Sequence, residues 1–133
     1  MGRDMNHIFL VEKDKAMQRY LKKLLQQANY ELCLIDDVIG KSSAIRTKTP
    51  QIILFDLDFF AVDYLVQLYR VYACPILALS CKNDSLLKIQ TLDAGASDYI
   101  LKPFSDGEFL ARIRVGLRRN SMRESGLAPG AFQ

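Results

Sequence analysis

Five short apolar runs recur along the chain, each followed by charged, polar or turn-forming residues. They are His7–Val11, Glu31–Ile35, Ile52–Phe55, Pro75–Leu79 and Tyr99–Leu101. Near-continuous apolar runs of this length are typical of parallel strands that helices cover on both faces. They predict five strands, with Ile52–Phe55, which lies between Pro50 and Asp56, as the central one.

Segments with helical periodicity separate these runs. Asp14 is a candidate N-cap for the first helix, whose apolar residues keep one buried stripe. Ser105 and Glu108 form a capping box for the last helix. The five helices are predicted over about Asp14–Asn29, Asp37–Thr47, Asp63–Val71, Asp84–Ala94 and Ser105–Arg119. Strands that alternate with helices predict an α/β fold, with a doubly wound parallel sheet between two helical layers.

Length and composition indicate one domain. The chain has 133 residues, of which 50% are hydrophobic, and its formal net charge of +3 is too small to indicate a nucleic-acid or membrane partner. Three cysteines without metal-ligand spacing predict neither a disulfide framework nor a zinc site. No run is long enough for a membrane span or a signal peptide, so we expect a cytoplasmic protein. We expect an extension over residues 1–5, a domain over 6–119 and a tail or linker over 120–133.

Residues with charged or hydroxyl side chains follow four of the predicted strands. Glu12 and Lys13 follow the first strand, Asp56 the third, Ser80 the fourth and Lys102 the fifth. The carboxyl ends of parallel strands share the edge where α/β sheets bind ligands, so these residues are expected to form one pocket. A carboxylate can attack phosphorus, and a lysine, a hydroxyl and Mg²⁺ held by carboxylates would stabilise the charge of the phosphoryl group. Asp56 is therefore the candidate phosphoryl acceptor.

Together with the stretch LDAGASDYILKPFSDGEFLARIRVGLRR, these motifs resemble the receiver domain of two-component response regulators over roughly residues 6–119. The stretch is similar to the OmpR/PhoB-type subfamily, whose receivers precede a winged-helix DNA-binding domain. The resemblance implies a CheY-like, flavodoxin-like three-layer sandwich with strand order 2-1-3-4-5. It implies that Asp56 is the phosphoacceptor and that Glu12 and Asp56 bind the metal. It implies that Ser80 is the hydroxyl that senses the phosphoryl group and that Lys102 contacts this group. It further implies that Tyr99 is the aromatic switch and that the Lys102-Pro103 peptide bond is cis.

The chain departs from the family pattern at the pocket. Lys13 stands where the family has a second metal-binding acid, so Mg²⁺, which the resemblance implies, would lose most of its attraction. We predict that the Lys13 ammonium pairs with Asp56 in place of the metal, with an attraction of about 4 kcal/mol before desolvation. The alternative is a solvated Lys13 that points away. Phe60 and Tyr64 replace a usual proline and glycine, which predicts a reshaped loop over Asp56.

A basic cluster lies near the C-terminus, but it lacks a groove-reading element, so no nucleic-acid contact is expected from this segment. The resemblance implies a homodimer through the predicted fourth helix, fifth strand and fifth helix. The positions implied for that interface are Lys88, Leu92, Asp98, Glu108, Arg112 and Arg119. Intersubunit ion pairs would join Lys88 to Glu108 and Asp98 to Arg112, while Ser97 replaces the acid partner of Arg119.

Three functions are compatible with these features. The preferred hypothesis is a receiver with an atypical pocket that acts as a dimerisation module, largely independent of Mg²⁺ and of Asp56 phosphorylation. The second is a conventional switch that accepts a phosphoryl group on Asp56 from a histidine kinase. The third is a phosphatase in which Asp56-Leu57-Asp58 is a DxD motif with Asp58 as acid/base. In such phosphatases the motif follows the first strand, so we expect no enzymatic activity.

Overall fold

The computed structural model describes residues 6–35 and 49–124. In chain order the elements are β1 (Asn6–Val11), α1 (Lys15–Gln27), β2 (Tyr30–Leu34), β3 (Ile52–Asp56), α2 (Val62–Tyr72), β4 (Ile76–Ser80), α3 (Ser85–Asp93), β5 (Asp98–Leu101) and α4 (Asp106–Glu124). The strands form one sheet in the order β2-β1-β3-β4-β5, and every neighbouring pair is parallel. The predicted fold class and strand order are confirmed. Four helices lie within the described residues, and the predicted helix Asp37–Thr47 lies outside them.

Side chains on opposite faces of the sheet enter two separate halves of the core. On β3, Ile53 and Phe55 join the half that contains Leu65 and Leu68 of α2. The intervening residues of β3 join the other half, which is built from the buried residues of α1 and α4. This division follows from the period of two along a strand. It explains why β3 and β4 are buried along their whole length.

The helix ends are set by local hydrogen bonds and by backbone conformation. Asp14 caps α1 by accepting a hydrogen bond from the backbone N–H of Ala16 at 3.0 Å, as predicted. Ser105 Oγ accepts from the N–H of Glu108 at 3.1 Å, which forms one half of the predicted capping box. Gly95 follows α3 with φ of +123°, a conformation that favours glycine.

The predicted end of the last helix at Arg119 is wrong, because α4 continues to Glu124. Asn120 lies on the helix beyond the expected end and is buried against the rest of the domain. The polar residues after Arg119 gave no sign that the helix continues where the apolar periodicity fades. Within the described ranges, no helix is long and apolar enough to span a membrane.

The Asp56 pocket as the candidate functional site

The pocket lies at the carboxyl edge of the sheet, where the strand ends place the predicted residues side by side. Asp56 is the last residue of β3 and its side chain is fully buried. Ser80 ends β4, Lys102 follows β5, and Glu12 follows β1. Parallel register pairs Asp56 with Leu79, so the side chains of neighbouring strand ends meet across the edge. Of the five side chains predicted to converge here, those of Glu12, Asp56, Ser80 and Lys102 lie together, whereas the side chain of Lys13 is exposed.

Lys102 is the cation that faces the acceptor. Its Nζ lies 2.5 Å from Asp56 Oδ2 and 3.0 Å from Asp58 Oδ2, so one ammonium bridges two carboxylates. The lysine side chain is only 15% exposed, which strengthens these charge-assisted contacts by keeping water away. Asp56 Oδ1 accepts a hydrogen bond from the backbone N–H of Asp58 at 2.8 Å. Both oxygens of the buried carboxylate therefore have a donor.

Asp58 also lies in the pocket, although its place in the sequence suggested only a phosphatase motif. Its Oδ1 accepts from Ser80 Oγ at 3.0 Å, and its Oδ2 accepts from the backbone N–H of Cys81 at 3.0 Å. With Lys102, these contacts hold the carboxylate of Asp58 in the pocket. The available signal was the second acid two residues after Asp56, because a tight turn at a strand end can bring such a side chain back over the edge. A carboxylate engaged in this way is not a free acid/base.

The ion pairs shift the pKa values of two of these groups. Burial by itself would raise the pKa of Asp58, but the hydrogen bonds from Lys102, Cys81 and Ser80 outweigh it and leave the pKa below its ordinary value. Burial by itself would lower the pKa of Lys102, but its contacts with Asp56 and Asp58 outweigh it and raise the pKa. Both shifts favour the charged forms, so the three charges stabilise one another.

Glu12 is buried beside Asp56 and is held by the start of the following loop. Its Oε2 accepts from the backbone N–H groups of Lys13 at 3.0 Å and Asp14 at 3.1 Å. Its other oxygen is buried and has no hydrogen-bond partner among the described residues. Burial, together with the nearby Asp56 carboxylate, raises the pKa of Glu12 to about 8. At neutral pH this acid is therefore mainly protonated.

The predicted ion pair between Lys13 and Asp56 is wrong. Lys13 is exposed, and its Nζ lies 5.2 Å from the centroid of the Phe60 ring. Glu12 points inward at the end of β1, so the next side chain is directed outward, where the strongly hydrated ammonium keeps its water and contacts the π-face of Phe60. The alternative of a solvated Lys13 describes the structure, and the internal ammonium beside Asp56 belongs to Lys102.

The loop after the acceptor is built from aromatic contacts. Phe60 and Tyr64 each pack against Phe55, with ring centroids 5.9 Å and 5.8 Å apart. The N–H of Phe60 donates to the carbonyl of Asp56 at 3.1 Å, which closes a turn before α2. Neither aromatic residue has a positive φ, so this turn needs no glycine. Phe60 thus joins the core side of the sheet to the exposed Lys13 near the pocket.

The described residues do not fit a bound Mg²⁺ well. No group of three or more acidic, histidine or cysteine side chains within the described ranges could hold a metal ion. Both carboxylate oxygens of Asp56 already accept hydrogen bonds, and Lys13 supplies no carboxylate. The one buried carboxylate oxygen without a partner in the described part of the chain is Glu12 Oε1, and that acid has a pKa near 8. A hard divalent cation requires several oxygen ligands, which this arrangement does not offer.

Tyr99 is linked to the pocket through the loop that follows β4. Its ring is buried on β5, and its hydroxyl donates to the carbonyl of Lys82 at 2.6 Å. The N–H of Lys82 in turn donates to Ser80 Oγ at 3.0 Å. The peptide bond between Lys102 and Pro103 is cis, as predicted. A continuous set of hydrogen bonds therefore runs from Asp58 through Ser80 to Tyr99.

The residues implied for a dimer interface lie on α3, β5 and α4. Asp98 and Arg112, predicted to pair between subunits, pair within the chain at 2.8 Å. Arg112 also reaches Glu108, with Nε 3.7 Å from Oε2, and Lys88 lies with its Nζ 5.7 Å from the Tyr99 ring centroid. Arg119 donates to the carbonyl of Ser97 at 3.3 Å. The intersubunit pairs stay a prediction.

A five-stranded doubly wound sheet with polar side chains gathered at its carboxyl edge is the arrangement of α/β domains that bind ligands at that edge. The chain belongs to the response regulator receiver domain family, whose model matches residues 8–114. Members of this family generally use Mg²⁺ in phosphorylation.

Among its relatives, the KDP operon transcriptional regulatory protein KdpE of Escherichia coli strain K12 is 33% identical over 120 residues, covering 88% of this chain and 53% of the relative. The DNA-binding response regulator MtrA of Mycolicibacterium paratuberculosis is 32% identical over 116 residues, covering 85% and 52%. The chain thus spans about half the length of these relatives, which are OmpR/PhoB-type regulators. The BeF3-activated N-terminal receiver domain of Klebsiella pneumoniae RstA superposes with a TM-score of 0.75 at 26% identity, covering 85% of this chain and 99% of that one.

Proposed function

We propose that the chain is the receiver of an OmpR/PhoB-type transcriptional regulator, that it self-associates through the face formed by α3, β5 and α4, and that its Asp56 pocket depends little on Mg²⁺. The relatives support the first part of this proposal, that the chain is the receiver of a transcriptional regulator, since both named regulators extend well beyond the matched region. A histidine kinase is the partner expected for such a receiver. Gene control would belong to a DNA-binding domain outside this segment.

The observation that carries the dimerisation proposal is an apolar strip on that face. Large apolar side chains stand exposed on all three elements: Leu86, Ile89, Leu92, Leu101 and Val115. Ile89 is 56% exposed, although a helix that packs on a sheet ordinarily turns its large aliphatic residues inward. Exposed apolar strips with a charged border are typical of protein interfaces. Here Lys88, Glu108 and Arg112 supply the border.

The internal ion pairs support the low dependence on Mg²⁺. Lys102 bridges the carboxylates of Asp56 and Asp58, and the backbone N–H of Asp58 donates to the other oxygen of Asp56. A divalent cation would have to displace these donors to reach the Asp56 carboxylate. The competition lowers the affinity of the pocket for a divalent cation.

Self-association is tested by sedimentation velocity over a range of protein concentrations. The wild type is expected to form dimers at high concentration, and Ile89→Arg is expected to stay monomeric because it places a charge in the apolar strip. Val71→Arg is a matched control, since Val71 is 54% exposed and belongs to α2, which is not one of the three elements of the proposed face. Equal behaviour of the two variants, or a wild type that is monomeric throughout, would refute the proposed interface.

A conventional phosphorylation switch is the second candidate function. The chain of hydrogen bonds from Ser80 through Lys82 to Tyr99 favours it, because Tyr99 lies beneath the proposed dimer face. In that case beryllofluoride, which mimics an aspartyl phosphate, would tighten the dimer of the wild type and leave Asp56→Asn unchanged. Equal dimer affinity with and without beryllofluoride would exclude this candidate.

A further inference from the structure

Asp58 has an unusual set of partners for an acid two residues beyond a strand. Lys102 Nζ, Ser80 Oγ and the backbone N–H of Cys81 all donate to its carboxylate, at distances from 3.0 to 3.2 Å. These donors come from the ends of two other strands, not from the local turn. A short-range cap would use neighbouring N–H groups instead. The carboxylate therefore occupies a site assembled by the fold.

That site is built for an oxyanion next to Asp56. It combines one ammonium, one hydroxyl and one backbone N–H, which are the groups that stabilise the oxygens of a phosphoryl group. Lys102 touches Asp56 and Asp58 at once, so the two carboxylates share a donor. A phosphoryl group on Asp56 would bring about two negative charges and three oxygens to the space beside this lysine. It would need the donors that Asp58 now holds.

We infer that Asp58 is an internal ligand of this oxyanion site, and that its carboxylate competes with a phosphoryl group on Asp56 or with a tetrahedral analogue of it. This inference rests on the proposed receiver function and concerns the regulation of the same pocket. Asp58 is also linked to Lys82 and Tyr99. Ser80 Oγ donates to Asp58 and accepts from the backbone N–H of Lys82, whose carbonyl accepts from the Tyr99 hydroxyl. Asp58 thus holds the loop after β4 in place without a phosphoryl group.

The test compares beryllofluoride binding by the full 133-residue chain and its Asp58→Asn variant, with and without magnesium, followed by NMR of the Ser80 and Cys81 amides. Asparagine keeps the shape and one acceptor oxygen but removes the charge that binds Lys102. Loss of this competitor is expected to lower the half-saturating beryllofluoride concentration about tenfold or more. Asp63→Asn is the matched control, because Asp63 is an exposed acid on α2 and its loss changes the net charge equally.

The outcomes distinguish the inference about Asp58 from the proposed receiver function. A tighter adduct in Asp58→Asn alone, abolished by a second substitution Asp56→Asn, supports the inference. Equal adducts in wild type and Asp58→Asn would overturn it and leave the receiver function intact. If neither protein binds beryllofluoride at Asp56, the inference also fails. The dimer measured on the same samples then decides separately whether the proposed function survives.

A measurement on the wild type keeps the inference testable if Asp58→Asn does not fold. NMR titration of the side-chain carboxyl carbons reports the pKa of Asp58 directly. This pKa is expected to lie below its ordinary value in the free protein and to rise when saturating beryllofluoride takes over the donors. An Asp58 pKa that is unchanged by bound beryllofluoride would show that the two do not share donors, and would overturn the inference.

Discussion

Replacing Lys102 by methionine is the most informative perturbation of the pocket. Methionine keeps an unbranched side chain of similar length but removes the ammonium that bridges Asp56 and Asp58. Asp56 is fully buried, so it cannot replace the lost partner with water. The variant therefore leaves a buried carboxylate beside a second, partly exposed one.

The expected cost follows from the geometry. One unit pair at about 4 Å attracts by roughly 4 kcal/mol at an effective dielectric of about 20, and the desolvation of the three groups offsets part of two such attractions. Removing one partner of a buried pair costs about 3 to 5 kcal/mol, because the remaining charge is left uncompensated. We expect Lys102→Met to lower the free energy of unfolding at neutral pH by that amount.

The pH dependence of the free energy of unfolding gives a second test of the role of Lys102. In the wild type the pKa of Asp58 is below its ordinary value of 3.8, so the stability from its pairing is present above that pH and is lost as the pH falls through the folded pKa. In Lys102→Met the Asp58 carboxylate loses the cation that lowers its pKa, so its folded pKa rises. The variant should therefore recover stability as the pH is lowered from about 7 to about 5.

Urea unfolding followed by circular dichroism at both pH values measures these differences. Lys23→Met on the exposed face of α1 is the control for the same substitution, and it is expected to change stability by less than about 0.5 kcal/mol. If Lys102→Met matched this control at neutral pH, or gained no more stability than the wild type between about pH 7 and about pH 5, the interpretation of Lys102 as the central cation of the pocket would be refuted.

Three further predictions concern single side chains. The folded pKa of Glu12 is about 8, above its ordinary value of 4.5, so wild-type stability should fall as the pH rises from about 4.5 to about 8. Urea unfolding at several pH values should show that Glu12→Gln abolishes this part of the pH dependence of stability. Tyr99→Phe loses the hydrogen bond to the Lys82 carbonyl, so its urea midpoint should indicate a loss of about 1 kcal/mol, and an unchanged midpoint would show that the bond adds nothing. Gly116→Val should lower the free energy of unfolding by about 1 to 3 kcal/mol, because a Cβ at this position would lie 2.9 Å from Ile52 Cδ1 and a valine adds two more methyl groups. Thermal unfolding measures this loss, and a variant as stable as the wild type would contradict the prediction.

Much of the fold could be predicted because its signals are local. The apolar runs of β3 and β4 are buried on both faces, so they are continuous in the sequence, and Asp14 and Ser105 are caps whose hydrogen bonds reach only two or three residues. The extension of α4 could not be predicted in this way. This part of the helix consists mainly of polar residues, and a polar sequence does not reveal that one of them, Asn120, is buried.

The pocket shows the same distinction between local and distant determinants. Strand-end position was enough to bring Glu12, Asp56 and Lys102 together. The side chain that pairs with Asp56 could not be chosen by type alone, since Lys13 and Lys102 both follow strands and carry the same charge. Inward burial of Glu12 turns Lys13 outward, and this orientation depends on three-dimensional packing. Asp58 was missed for a related reason, because its partners come from other strands.

Internal ion pairs are expected to make the Asp56 pocket a weak magnesium site. The most direct test is a magnesium titration followed by NMR of the amides around Asp56 and Ser80, with Lys102→Met as the variant that removes the ammonium from Asp56 and Asp58. We expect no saturable shifts in the wild type at millimolar magnesium and clear shifts in Lys102→Met. Saturable shifts of the wild-type amides at Asp56 and Ser80 in that concentration range would contradict this expectation.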